Sequence, residues 1–433
     1  MRSVAFVTVG CKLNQFETEQ MREAVEEMGH GTCPPTERAD VYVINTCTVT
    51  SKSDYRSRQA IRRAVKVNPE ATVVVTGCYA QLAPDAIAEI AGVDAVIGNA
   101  EKERIGDYVD LDKQTHPVID VSDSGAQDRI DGHRRLHGFG KYTRAFVKIQ
   151  DGCDNRCSYC AVPLARGRSR SKRWEDVAAE IDVLAGEGYK EIVLTGVHLG
   201  SYGRDLSPQD SLATLLRRIA AACGPERVRL SSIEPTDFSD ELIDLMADPA
   251  MKICAHVHVP LQSGDDGVLE RMGRPYDRRS YSTLIHCIAD RVPLCGIGAD
   301  VMVGFPGEDR DAFSNTRDLL MDLPVTYLHV FSFSPRYKTE ASMMSGQVAP
   351  EEKKERSFIL RRMGREKSLE FRKSLSGKTL DALVLGSTKS SYLTGLSGNY
   401  VKAFLTESAP VNEIVPCRVT GVRGEGVLAD LTQ

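Results

Sequence analysis

The stretch RAFVKIQDGCDNRCSYC, residues 144–160, decides how the chain folds. Residues 144–150 form an apolar run of strand length, and Gly152 permits a sharp exit from it. Three cysteines then follow within eight residues, Cys153-x3-Cys157-x2-Cys160. Thiolates so close together can wrap three irons of a cubane cluster and leave the fourth iron open for a substrate. A zinc knuckle is the alternative, but zinc sites usually pair two C-x2-C units and the chain has no second such unit.

Downstream of this loop, strand patterns recur at 191–195, 227–232, 256–260, 298–304 and 327–334. Helical patterns lie between them, as at 175–186 and 211–223. Six strands in roughly 190 residues are too few for a closed eight-stranded barrel, so a partial (β/α)6 TIM-like barrel is expected over 143–350. Upstream, residues 1–114 alternate strand and helix patterns, which implies an α/β unit with a doubly wound parallel sheet. Residues 115–142 are polar and aperiodic and read as a linker. Residues 351–373 read as a charged helix; with Pro350 the segment carries nine Lys and Arg against five Glu. Residues 374–433 break into short strands divided by Gly and Ser, which suggests a small all-β barrel.

Composition narrows the class. Net charge is −5, with 42% hydrophobic and 27% charged residues, as in ordinary soluble chains. The apolar run 4–9 is too short for a membrane span or a signal-peptide core, so no membrane association and a reducing cytoplasm are expected. Twelve cysteines are too sparse for a disulfide scaffold in a chain this long. Three of them hold matching positions in the N-terminal unit: Cys11, Cys47 and Cys78 each follow a strand pattern. Strand ends on one edge of a parallel sheet converge in space, so these three thiols can seat a second cluster; three buried structural thiols are the alternative. Cys33, Cys223, Cys254, Cys287, Cys295 and Cys417 lack such placement and read as buried or incidental.

The C-x3-C-x2-C loop, with Tyr159 before its last cysteine, resembles the signature of the radical-SAM superfamily. The resemblance implies that S-adenosylmethionine chelates the open iron and is cleaved to a 5′-deoxyadenosyl radical. It also implies cofactor contacts from strand ends: Thr195 and Gly196, Ser232 and Glu234, Gln262, and Gly304. Ordinary loop formation is the alternative for each of these turns. Taken together, the two cysteine constellations resemble the methylthiotransferases over essentially the whole chain. The runs Gly10–Glu19 and Val43–Thr50 look like the branch that acts on threonylcarbamoyladenosine beside the tRNA anticodon. Sister branches act on isopentenyladenosine in tRNA or on a ribosomal-protein aspartate. The terminal module resembles the TRAM domain, an RNA-binding barrel, and Phe333–Arg336 resembles the family's Ser-Pro-Arg turn.

The family likeness implies two [4Fe–4S] clusters, one S-adenosylmethionine as methyl donor and another as radical source. It also implies tRNA as substrate, a flavodoxin- or ferredoxin-type electron donor, and a sulfur donor. Two basic runs are candidate phosphate contacts: Arg166, Arg168 and Arg170 with Lys172 and Arg173, and Arg56, Arg58, Arg62, Arg63 and Lys66. For each, a solvated charged face is the plain alternative. The terminal module is charge-neutral, with Lys378, Lys389, Lys402, Arg418 and Arg423 against five acids, so any RNA recognition there would rest on shape and stacking. A non-catalytic iron–sulfur electron carrier is the rival function, but it has no use for a six-stranded barrel around the cluster loop.

Overall fold

In the computed structural model of the chain, residues 1–433 are described apart from 127–128, 131–135, 141, 223, 388–391 and 433. Cys223 and Lys389 therefore lie outside the described residues. The N-terminal unit is a six-stranded, wholly parallel sheet. Its strands are β1 (Ser3–Thr8), β2 (Gly31–Cys33), β3 (Val41–Thr46), β4 (Thr72–Gly77), β5 (Ala95–Ile97) and β6 (Val118–Asp120), in the order β2-β1-β3-β4-β5-β6. Every residue of β3 and β4 is buried, as continuous Val and Ile runs in a sheet covered on both faces require. Helices α1 (Lys12–Glu27) and α2 (Ser51–Val67) supply crossovers, and the short α3 (Cys78–Leu82) follows β4 directly. The edge strands β2 and β6 differ from the sequence reading. Each has three residues, too few to show a period, and β6 falls within the stretch read as a linker.

The second unit begins with β7 (Arg144–Lys148), followed by the two-residue strands β8 (Gln150–Asp151) and β9 (Arg170–Ser171), which pair across the cysteine loop. Gly152 has φ +72°, and a Cβ there would stand 1.9 Å from the carbonyl oxygen of Arg168, so the loop requires glycine. The remaining barrel strands are β10 (Glu191–Thr195), β11 (Arg227–Leu230), β12 (His256–His258), β13 (Gly296–Val303) and β14 (Tyr327–Ser332). They form two parallel triplets, β11-β10-β7 and β12-β13-β14, linked by a bridge from Val228 to Ile253. The six barrel strands thus lie where their sequence patterns put them. One continuous core fills the spaces between strands and helices.

Past the helix Pro350–Ser374, five strands close a small barrel: β15 (Thr379–Ser387), β16 (Leu393–Ser397), β17 (Lys402–Leu405), β18 (Ile414–Arg423) and β19 (Gly426–Leu431). The β16–β17 turn of this module plugs the amino-terminal end of the larger barrel. Arg227 donates to the carbonyls of Asp381 (3.0 Å) and Leu396 (2.7 Å), and Arg229 to those of Ser397 and Gly398, both at 3.0 Å. Glu191 holds both guanidinium groups, and Tyr400 stacks on His256 at 4.5 Å. Among the described residues no helix is long and apolar enough to cross a membrane.

Candidate functional site

Both cysteine triads assemble. Cys11 caps the amino end of α1 with no side-chain capping bond, Cys47 follows β3, and Cys78 starts α3. Each lies at the carboxyl edge of its strand, where parallel sheets bind ligands. The thiols sit close enough to act on each other: Cys78 raises the pKa of Cys11, and Cys78 and Cys11 both raise that of Cys47. Burial is the larger cause and carries Cys47 to about 11. A Cβ on Gly10 would come within 3.1 Å of Cys47 Sγ, so glycine leaves this niche open beside the thiols.

The second triad stands on the loop after β8. Cys157 is raised by burial against the guanidinium of Arg274, whose Nη1 donates to Cys157 Sγ at 3.2 Å. Cys160 is pushed up to about 12, first by burial and then by Cys157 and Cys153. Cys153 Sγ lies 3.7 Å from His198 Nδ1, while His198 Nε2 lies 2.6 Å from Asp237. Burial would lower His198, but its bonds to Asp237 and Cys153 raise it to about 9. All six cysteines are free of disulfides. Soft thiol donors gathered in threes suit iron–sulfur cations, whose charge would draw them to thiolates.

A cavity of about 190 Å³ joins the two triads. Cys78 with Thr48 and Thr50 lines one side, and Tyr159 and Cys160 line another. Gln262, Asp300, Met302 and Phe331 close it from the barrel. The turn Phe333–Arg336 fastens the units around it. Arg336 pairs with Asp54 at 2.6 Å and donates to the Thr48 carbonyl and to Ser51 Oγ.

Residues 147–320 match the radical SAM superfamily, and residues 3–98 match a family described as uncharacterized protein family UPF0004. The threonylcarbamoyladenosine tRNA methylthiotransferase MtaB of Bacillus subtilis is 37% identical over 93% of this chain and 90% of its own length. The enzyme of the same name from Thermotoga maritima is 37% identical over 99% and 97%. The chain belongs to the radical-SAM methylthiotransferases. The tRNA-2-methylthio-N(6)-dimethylallyladenosine synthase of Pelotomaculum thermopropionicum is more distant, 32% identical over the whole chain and 97% of its own length. Among solved structures, the radical S-adenosylmethionine methyltransferase TsrM of Kitasatospora setae shares the fold. Its TM-score is 0.57 at 18% identity, over 79% of this chain and 77% of that one. Membership makes the chain an enzyme that uses S-adenosylmethionine and a [4Fe–4S] cluster.

The other expected contacts divide into two groups. Tyr159 and Gln262 line the cavity. Thr195 and Gly196 lie behind the cysteine loop, where a Cβ on Gly196 would come within 2.8 Å of Gln150 Oε1. Glu234 pairs with Arg274 beside Cys157, and Ser232 is exposed two residues past the end of β11. A Cβ on Gly304 would meet the Lys353 stem at 2.3 Å, so glycine there lets the helix Pro350–Ser374 approach.

The basic run is mostly buried, not the solvated phosphate-facing patch its sequence suggests. Arg166 is only 3% exposed and Arg170 5%, so neither offers its charge to a phosphate. Arg166 Nη1 bonds Glu17 at 2.7 Å and Asp151 at 3.0 Å, and Nη2 bonds Asn14 at 2.9 Å. This guanidinium locks α1 to the cysteine loop and acts electrostatically on Cys11 and Cys78. Only Arg168 of the three is open to solvent, its side chain 89% exposed. Sequence reasoning missed Gln150, His198, Asp237 and Arg274. A polar residue soon after a strand end could have flagged His198, but nothing local marks Arg274, whose partners come from other loops.

Proposed function

We propose that the chain converts N6-threonylcarbamoyladenosine beside the tRNA anticodon to its 2-methylthio derivative. S-adenosylmethionine serves twice, as methyl donor and as source of the 5′-deoxyadenosyl radical. The observation that carries this reading is the shared cavity, whose wall holds Cys78 of one triad and Cys160 of the other. Cys153, Cys157 and Cys160 would hold the radical-generating cluster, and Cys11, Cys47 and Cys78 a second one. Bound in these seats, the clusters would supply the electron for sulfonium cleavage and a place for the transferred sulfur.

The chain's own residues hold and enclose the reactants. Arg274 and Glu234, paired beside Cys157, offer a cation and an anion to the carboxylate and ammonium of S-adenosylmethionine. Thr195, Gly196 and Ser232 border the same strand ends. Tyr159, Met302 and Phe331 give the adenine an apolar lodging that excludes water from a reactive radical. Val49 and Phe331, both exposed and both lining the cavity, offer apolar contact to an extruded base. Arg168, the exposed Arg56, Arg62, Arg63 and Lys66 of α2, and the exposed Lys354, Arg361, Arg362 and Arg365 are the phosphate contacts we assign. A flavodoxin- or ferredoxin-type reductant, a sulfur donor and the reducing cytoplasm complete the reading.

Mass spectrometry of tRNA nucleosides from a gene-deletion strain tests it. The expected loss is 2-methylthio-N6-threonylcarbamoyladenosine, restored by the gene in trans. Loss of the methylthio mark from isopentenyladenosine instead would move the chain to the sister substrate. An intact tRNA profile with an unmodified ribosomal aspartate would overturn the tRNA assignment.

A further inference from the structure

The inward faces of three barrel strands carry a polar cluster that neither triad uses. His258 Nε2 lies 2.9 Å from Asp300 Oδ1, and His329 Nδ1 lies 3.4 Å from the same oxygen. One donor atom from each residue falls within 4.8 Å of the other two. Strand register produces this convergence. Asp300 on β13 stands opposite His329 on β14, and His258 on β12 stands opposite Gly298, two residues before Asp300 on the same face. Gly298 makes room: a Cβ there would collide with the Tyr327 ring at 2.1 Å.

We propose that His258, Asp300 and His329 form a site for one first-row divalent cation, distinct from both cysteine seats. Two imidazole nitrogens and one carboxylate oxygen on one face are a donor set that suits zinc or iron(II). Ligands about 2.0–2.2 Å from a shared ion stand roughly 2.9–3.5 Å apart at tetrahedral or octahedral angles, and the two observed separations of 2.9 and 3.4 Å fall in that range. The supporting shell also fits. His258 Nδ1 lies 3.1 Å from Tyr327 Oη, which lies 2.8 Å from His256 Nε2. With His258 Nε2 on the ion, Nδ1–H donates to Tyr327 and the tyrosine hydroxyl donates to His256, which fixes the ring tautomer as ligating histidines require. Asp300 also lines the cavity between the triads. Three protein ligands leave the ion open to an oxygen donor entering from there.

The test uses zinc(II) as the probe and the cluster-loaded enzyme, so that the six cluster-seat thiols are occupied. Metal analysis after gel filtration should find about one zinc per chain beyond the cluster iron. His329→Ala should lose it, and competition with a chromophoric chelator should show affinity weakened at least roughly tenfold. The His329 side chain is 54% exposed, so this variant should fold; Asp300→Asn, which keeps the shape, should lose zinc as well. Wild type that retains no zinc, or variants that bind it as tightly, would overturn the proposal. Iron counted in the same samples reports on the cysteine seats separately, so failure of one reading is distinguishable from failure of the other.

Discussion

Replacing Arg166 with methionine separates a structural lock from a phosphate contact. The variant leaves Glu17 and Asp151 buried without their shared guanidinium, and Asn14 Oδ1 with only the weak Cys11 thiol as donor. Breaking a buried ion pair by removing one partner costs about 3–5 kcal/mol. Lys102 at 2.6 Å and Lys148 at 3.4 Å still serve Glu17, and Lys148 at 3.4 Å still serves Asp151, so the low end applies. A loss of about 3 kcal/mol lowers the folded-to-unfolded ratio by roughly a hundredfold. Anaerobic urea unfolding at pH 7, followed by far-UV circular dichroism, measures it. The pH dependence carries a second signature. Burial alone would raise Glu17, but Arg166, Lys102 and Lys148 outweigh it and hold the carboxyl well below its ordinary 4.5; Asp151 is lowered from 3.8 by the same balance. Depressed carboxylates contribute stability that is present above their unfolded pKa and lost as pH falls through the folded one. The gap between wild type and variant should therefore be full at pH 7 and narrow below about pH 4. Adding Glu17→Gln to Arg166→Met should restore part of the loss. A change under about 0.5 kcal/mol, as for an ordinary surface substitution, would refute the lock.

Three further outcomes follow from the same geometry. Arg168→Ala should leave stability within about 0.5 kcal/mol and reduce the salt slope of tRNA binding by about one; an unchanged slope would remove Arg168 from the interface. Gly296→Ala puts a Cβ 2.2 Å from the Asn399 carbonyl oxygen. It should loosen the terminal module by about 1–3 kcal/mol and speed limited proteolysis within residues 375–433, whereas unchanged cleavage would contradict the docking. Replacing Cys153, Cys157 and Cys160 by alanine should lower reconstituted iron from about eight to about four per chain and abolish 5′-deoxyadenosine formation; continued formation would move the radical cluster elsewhere.

Much of this was legible in the chain because the signals are local. Each barrel strand carries its own apolar run, and each triad cysteine sits directly after a strand or within one tight loop. What stayed hidden depends on partners remote in sequence. The run from Arg166 to Arg173 reads as a charged face because the acids that bury Arg166 lie 149 and 15 residues away. The docking of the terminal module on the larger barrel is hidden in the sequence because Arg229 meets its Ser397 acceptor only across 168 residues. The cluster at His258, Asp300 and His329 is spread over three strands with no spacing motif, and register alone unites it. Edge strands β2 and β6 are too short to show a period, so hydrogen bonding to their neighbours defines them.

Divided roles for two thiol triads that line one cavity are the central proposal. Its sharpest measurement takes the enzyme with Cys11, Cys47 and Cys78 all changed to alanine, reconstitutes it anaerobically, and assays it with S-adenosylmethionine, a reductant and threonylcarbamoyladenosine-bearing tRNA. The variant should hold about four irons and still form 5′-deoxyadenosine, yet make no methylthio nucleoside. Methylthio product at the wild-type rate, or retention of the full iron complement, would contradict it.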